Sequence, residues 1–336
     1  MFYHIIRPTM SKFFLVVSLI FSLLLFLIPQ LIFAAGWLAA RLFNVHLAWR
    51  PFLWAGLLLV VVWWGLYTYG HFWGRFRFEV KPVEYCNKQL PPSFEGYRMV
   101  QISDLHLDGW NGHEAELDRV VRAVNDLQPD LIVFTGDLVS FNYHELEALS
   151  TTLGRLRARD GVLSILGNHD YDPYERGLSP KEREVLVDSL VKWQQQRLGW
   201  HVLLNEHVVV HRGADSLAVI GVENQSCGLH RVIRRGRLRE AMAGTEGMFR
   251  ILLSHDPSHW RAEVLPETDI PLTLSGHTHA MQFRILGFTP SRWAYPECDG
   301  RYDEGGQTLY VNIGLGGTMP MRIGATPEIT LFTLCR

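Results

Sequence analysis

No aspartate or glutamate occurs in the first 74 of the 336 residues, and only four basic side chains do: Arg7, Lys12, Arg41 and Arg50. A stretch so poor in charge has no polar face to turn to water. The 32 basic residues less those four leave 28 against 34 acidic ones in residues 75–336, a net of −6. That balance excludes a globally basic nucleic-acid binder, so no nucleic-acid partner is expected. Cysteine is scarce. Cys86, Cys227, Cys298 and Cys335 form no CxxC pair, which excludes a zinc knuckle and a disulfide-dense secreted scaffold and leaves the compartment open. Repeats and low-complexity tracts are absent. Gly305-Gly306 and Gly314–Gly317 read as turns and lack the strand–helix context of a nucleotide fingerprint.

The head has two long apolar runs instead. Residues 13–40 carry no charge for 28 positions and residues 51–74 none for 24. About 20 apolar helical residues cross a bilayer core of ~30 Å. Both runs suffice, which predicts a transmembrane hairpin over residues 1–74 with spans near 13–38 and 52–73. Six of the eleven tryptophans (Trp37, Trp49, Trp54, Trp63, Trp64, Trp73) lie in it, several near run ends, where amphipathic rings favour the headgroup layer. Pro29 and Gln30 predict a kink. The competing reading is a cleaved signal peptide, with Lys12 ahead of the run and Ala34-Ala35 as its small-residue site. The run is longer than the roughly 7–15 residues usual there. Two spans put both ends on one side. Arg7, Lys12, Arg75, Arg77 and Lys81 outside them, against Arg41 and Arg50 between, favour cytoplasmic ends.

Residues 75–96 read as a linker with a short alternating strand (Phe76, Phe78, Val80) broken by Pro82, Pro91 and Pro92. In residues 97–336, five strand-like apolar runs each end in polar residues of ligand type. The runs from Met99, Leu131 and Val162 end at Asp104-Leu-His106, Asp137 and Asn168-His169-Asp170. Those from Ile251 and Leu272 end at His255 and His277-Thr-His279. Leu117, Val120, Val121, Val124 and Leu127 recur at helical spacing, and residues 143–157 and 180–197 also read as helices, the latter with Pro180 in its first turn. Strand–helix alternation implies a layered α/β body. Ligands gather at the carboxyl ends of strands in such folds, so the five endings converge.

Each ending alone is weak, since a turn or a core histidine pair explains any one of them. The ordered set is specific. A carboxylate can bridge two cations, and mixed nitrogen and oxygen donors suit Mn, Fe, Co, Ni or Zn rather than Ca. Two such ions about 3.5–4 Å apart clamp the attacking and leaving oxygens of a phosphoryl centre. Other histidines (His113, His144, His201, His207, His211, His230, His259) read as surface or packed residues, and Asp108, Trp110 and His113 as a solvent loop. Arg231, Arg234, Arg235, Arg237 and Arg239 read as a solvated helix face, with lipid headgroups or an anionic substrate as the sharper alternative.

Asp104-Leu-His106, Gly136-Asp137, Gly167-Asn168-His169-Asp170, His255 and Gly276-His277-Thr278-His279 resemble the calcineurin-like metallophosphoesterase family over residues 97–335. Asn312–Gly317, Pro320-Met-Arg322 and Pro327-Glu328-Ile329 are similar to its membrane-anchored bacterial subgroup, which includes UDP-2,3-diacylglucosamine pyrophosphatases. The resemblance implies a two-sheet β core flanked by helices, an α/β fold, with a dinuclear site at strand ends. It implies one divalent ion on Asp104, His106, Asp137 and His279 and a second on Asp137, Asn168, His255 and His277. The ions would be Mn, Fe or Zn, with Mn serving in vitro. A metal-bound hydroxide would be the nucleophile, and His169 would stabilise the scissile phosphate or protonate the leaving oxygen. Asp170 is expected beside the ligands rather than among them.

The implied protein is a multi-pass enzyme of the bacterial inner membrane with its catalytic domain in the cytoplasm. It would hydrolyse a phosphodiester or pyrophosphate, with a lipid-linked small molecule among the substrates it fits. The alternatives are a membrane scaffold with a structural metal site and a phosphodiesterase for a soluble nucleotide. Two departures narrow the resemblance. Gly136–Asn142 lacks the second aspartate and the arginine of GDxxDRG, against the protein Ser/Thr phosphatases. Ala280 and Met281 stand where the anchored subgroup commonly has the two glycines of GHTHGGQ.

Overall fold

The structure, a computed structural model, describes residues 3–171, 177–228 and 233–336, with side chains from Phe13 onward. It divides into two compact units: Met1–Arg75 with Met319–Ile323, and Phe76–Thr318 with Gly324–Arg336.

In the first unit, α1 (Tyr3–Leu42) and α2 (Arg50–Phe72) form a helical hairpin. Both are long and apolar enough to cross a membrane. Their leucines and valines are turned outward: Leu15, Leu19, Leu31, Leu58 and Val61 are all exposed. A soluble core helix would bury that face. Gly56 lets the helices approach, since a Cβ there would lie 2.9 Å from the Phe26 carbonyl oxygen. α1 runs unbroken through Pro29 and Gln30. The Gln30 amide is used across the hairpin, donating to the Phe52 carbonyl (2.9 Å) and accepting from Trp49 Nε1 (2.9 Å), which is how polar groups are satisfied between helices in lipid. Met319–Ile323 joins this unit at the end of α2. The Arg322 N–H donates to the Gly70 carbonyl (3.2 Å), and the His71 Nδ1 lies 2.8 Å from the Pro320 carbonyl.

The second unit is built on two six-stranded sheets. The first contains β1 (Glu79–Cys86), β2 (Arg98–Ile102), β3 (Leu131–Phe134), β4 (Val162–Ser164), β5 (His201–Val202) and β12 (Glu328–Cys335), in the order β1-β12-β2-β3-β4-β5. The second contains β6 (Glu206–Arg212), β7 (Asp215–Gly221), β8 (Phe249–Leu253), β9 (Leu272–Ser275), β10 (Gly300–Glu304) and β11 (Gln307–Val311), in the order β10-β11-β9-β8-β7-β6. β2 to β5 run parallel, as do β7, β8, β9 and β11. Parallel strands are buried on both faces, hence the near-continuous apolar runs.

Alternation along the strands assigns the faces. Met99, Leu131 and Val133 meet Leu217, Ile251, Leu253 and Leu274 between the sheets. Val100, Ile102, Ile132 and Phe134 face the other way, against α3 (Glu114–Asp126) and α5 (Pro180–Trp193). Ile220, Leu252 and Val311 back the second sheet onto Trp260 and Leu238. The expected α/β layering, two sheets flanked by helices, is what the chain forms.

Four local expectations differ. Residues 75–96 hold β1, which pairs in parallel with β12 at the sheet edge, where Pro82 needs no donor. Its last residue, Cys86, is in register with Cys335 and disulfide-bonded to it. Residues 143–157 are two short turns, Tyr143–Leu146 and α4 (Ser150–Leu153). The helix breaks because Glu145 turns inward, accepting from the backbone N–H groups of Asp108 (2.7 Å), Ser140 (2.8 Å) and Phe141 (2.7 Å). Trp110 is not in a solvent loop. It is buried against Phe76, with its Nε1 donating to the Leu105 carbonyl (2.8 Å). The arginines near residue 235 are not one helix face. Arg235 pairs with Glu184 and Glu223, Arg237 with Glu240 and Arg239 with Glu267; Arg231 and His230 lie outside the described residues.

Candidate metal centre

Five strands deliver the polar endings to one place. Asp104 and His106 follow β2, Asp137 follows β3, and Asn168, His169 and Asp170 follow β4. His255 follows β8, and His277 and His279 follow β9. Asp104, His106, Asp137, His277 and His279 all have φ between 47° and 75°. Left-handed backbone at non-glycine residues costs of order 1–3 kcal/mol each and persists where function requires it. The strain continues through Ala280 (φ 50°) and Met281 (φ 49°). The loops are held by Asp170, which accepts from the N–H groups of Asp137, Leu138, Val139 and Gly167 at 2.9–3.1 Å. Gly167 cannot be replaced at this packing, because any Cβ would collide with the Asp137 carboxylate.

The side chains form two groups that share Asp137. Asp104, His106, Asp137 and His279 bring one donor atom each within 4.8 Å of one another, and so do Asp137, His255 and His277. His106 Nε2 lies 3.2 Å from His279 Nε2 and 3.5 Å from Asp137 Oδ2, and His279 Nε2 lies 3.5 Å from Asp104 Oδ1. On the other side, His255 Nε2 is 3.3 Å from Asp137 Oδ2 and 3.2 Å from His277 Nδ1. The buried Asn168 is on the loop between Gly167 and His169.

Hydrogen bonds fix what these atoms present. The Thr135 carbonyl lies 2.7 Å from His255 Nδ1 and requires a proton there, so neutral His255 turns a lone pair from Nε2 toward the Asp137 oxygen. That oxygen, Oδ2, is buried and accepts no hydrogen bond. Lone pairs facing one another in a water-poor site repel unless a cation lies between them. With protons as the only cations, burial pulls His255 toward neutrality, but the Asp137 and Asp104 carboxylates outweigh it and raise the imidazole to about 10. Burial pushes Asp104 up to about 7. Asp137 stays well below the usual carboxylate range, because the His255 and His169 imidazoles overcome its burial. The centre demands positive charge, and its mixed nitrogen and oxygen donors match borderline divalent ions.

His169 stands beside the cluster. Its main-chain N–H donates to Asp137 Oδ1 (2.8 Å), its Nδ1 lies 3.0 Å from the Ser140 carbonyl, and its ring meets the His106 ring edge-on at 4.6 Å. The bond to Ser140 requires a proton on Nδ1, which leaves Nε2 as the other functional atom.

Two further residues support the cluster. Tyr295 Oη lies 2.6 Å from His277 Nε2, and the buried Asp256 Oδ2 lies 3.8 Å from the same nitrogen. Nothing in the spacing of Tyr295 marks it, since it arrives from a loop 18 residues on. Asp256 adjoins His255, and that adjacency was its only signal.

The calcineurin-like phosphoesterase family model matches residues 97–281. The metallophosphoesterase YkuE of Bacillus subtilis is 31% identical over 278 residues, covering 80% of this chain and 90% of YkuE. A transmembrane protein with metallophosphoesterase domain from Danio rerio is 32% identical over 269 residues, 76% of this chain, which spans only 57% of that relative. The UDP-2,3-diacylglucosamine pyrophosphatase LpxG of Chlamydia muridarum is 27% identical over 289 residues, covering 72% of this chain and 86% of LpxG. Two apolar helices and a relative named as a transmembrane protein together support membrane anchoring. With a paired Asp/His cluster at the carboxyl ends of two-sheet strands and matches of this extent, the chain belongs to the calcineurin-like phosphoesterase family and is a phosphoester hydrolase.

Proposed function

We propose that the protein is a membrane-anchored hydrolase of phosphodiester or pyrophosphate bonds whose substrate is lipid-linked. The observation that carries this reading is the bridging Asp137, shared by two donor groups on a chain with two exposed apolar helices. Asp104, His106, Asp137 and His279 would hold one divalent ion, and Asp137, Asn168, His255 and His277 the other. Mn is the expected ion in vitro, with Fe and Zn also suited to these donors. Two such ions supply a water of lowered pKa and positive charge for the phosphate oxygens.

The protein's own groups do the rest. Thr135 orients His255 through Nδ1, so that Nε2 faces the centre. Tyr295 and Asp256 orient His277. His169, its Nδ1–H given to Ser140, presents Nε2 to the phosphate and stabilises its charge or delivers a proton to the leaving oxygen. The likeness to LpxG, named as a pyrophosphatase of a diacylated sugar nucleotide, supports a lipid-linked substrate.

On localisation, the reading is a multi-pass protein of the bacterial inner membrane. Flanking charges favour a cytoplasmic body. The Cys86–Cys335 disulfide favours the second reading, a body in an oxidising compartment. The test of function is a substrate panel on the detergent-solubilised protein with Mn²⁺, containing an aryl phosphodiester, cyclic nucleotides and UDP-linked lipids. Metal-dependent turnover of the lipid member supports the reading, and turnover of cyclic nucleotides alone refutes it.

A further inference from the structure

The loop after the His279 turn is built against the rules of a water-exposed hairpin. Ile285 and Phe288 exchange both backbone hydrogen bonds (3.0 and 2.9 Å), enclosing Leu286 (φ 49°) and Gly287 (φ 80°) as a two-residue turn. Such turns want Asn-Gly or Asp-Gly, because both central residues have positive φ. Leucine there costs roughly 1–2 kcal/mol of backbone strain. It also points an apolar side chain outward: Leu286 is 102% exposed, beside Ile285 (45%), Phe288 (45%) and Trp293 (77%). Phe288 and Trp293 meet edge to face at 5.4 Å. No acidic residue lies between Gln282 and Trp293. Neither turn chemistry nor the core accounts for this composition.

The loop's root is rigid and lies at the chemistry. Buried Thr289 donates from Oγ1 to the Ala280 carbonyl (2.6 Å), one residue beyond His279. Gly324 packs so closely on the Arg284 carbonyl that a Cβ would collide with it.

We infer that the Ile285–Trp293 loop is a second membrane contact, which dips Leu286, Phe288 and Trp293 into the headgroup and acyl boundary of the bilayer. Aromatic and aliphatic tips are what that layer accepts, and an apolar tip held out of the core loses less free energy in lipid than in water. The inference rests on the anchoring by α1 and α2 and not on the identity of the substrate.

The test uses the full chain in vesicles of phosphatidylcholine and phosphatidylglycerol, with Cys227→Ser to remove the half-buried free thiol. An environment-sensitive dye is attached at Leu286→Cys, at Phe288→Cys, and at exposed Glu246→Cys as reference. Both loop dyes are expected to be quenched by a shallow doxyl lipid and to be several-fold less accessible to aqueous iodide than the reference dye. Co-flotation with the vesicles is measured first. Protein that does not float contradicts the anchoring and the inference with it. Floating protein whose loop dyes match the reference, blind to doxyl lipid and open to iodide, overturns the loop contact alone and marks the patch as a surface for a protein partner.

Discussion

The proposed reading gives Asp137 the metals and His169 the phosphate, and two substitutions separate these roles. Asp137→Asn removes a charge that two donor groups share, so both metal content and hydrolysis should fall nearly to background. His169→Ala should lower turnover by about 10²–10⁴-fold, the usual contribution of a positioned proton donor, while metal analysis shows the centre still loaded. An empty site in His169→Ala would contradict its role. Tyr295→Phe removes the oxygen 2.6 Å from His277 Nε2 and leaves the ring in place. Groups that orient a metal-binding histidine are worth about 10–100-fold in affinity, so calorimetric titration of one metal should weaken by that factor. Unchanged affinity would make Tyr295 a packing residue. That Asp104, His106, Asp137, His255, His277 and His279 come together was legible from the sequence because each follows an apolar strand. Tyr295 and Asp256 were not, because a hydrogen bond to a ring nitrogen leaves no periodicity. Trp110 was misread for the same reason: its burial depends on Phe76, 34 residues earlier.

At the scale of elements, the parallel strands were readable because burial on both faces makes them continuous apolar runs. α5 was readable because Pro180 suits a first turn; the structure adds a capping box between Ser179 and Glu182. The 143–157 segment misled because Glu145, besides capping the short Tyr143–Leu146 turn, turns inward to satisfy the loop N–H groups of Asp108, Ser140 and Phe141. β1 was hidden by Pro82 and by a partner, β12, at the far end of the chain. The segment after β8 gives a pH prediction. The neighbouring His259 imidazole, 3.3 Å from Glu263, and a bond from Gln225 (2.8 Å) hold Glu263 at about 2, below the ordinary glutamate value of 4.5. A carboxyl depressed by folding stabilises the native state above its unfolded value and loses that contribution as pH falls through its folded value. Denaturation of Glu263→Gln should therefore show a deficit against the parent at pH 6 that narrows between pH 4.5 and 2. A deficit independent of pH would mean the loss is packing.

On the scale of the whole molecule, the two opposing signals for orientation can be separated by thiol chemistry. If the body lies in an oxidising compartment, Cys86 and Cys335 should resist alkylation in freshly trapped membranes until reductant is added. Immediate labelling of both would support the cytoplasmic side that the flanking charges favour.

In the proposed function the helices hold this phosphohydrolase to a lipid-linked substrate. Tethering raises the effective concentration of whatever shares the membrane without any new contact, and gives a soluble substrate no such advantage. The direct measurement places the full-length protein with Mn²⁺ in vesicles and supplies a lipid-linked pyrophosphate either in the same vesicles or in separate ones, with a soluble aryl phosphodiester as reference. Cleavage should be fast and metal-dependent in the shared membrane and slow across membranes, with the same aryl diester rate in both arrangements. Equal rates for lipid in the two arrangements, or hydrolysis of the aryl diester with none of the lipid, would contradict it.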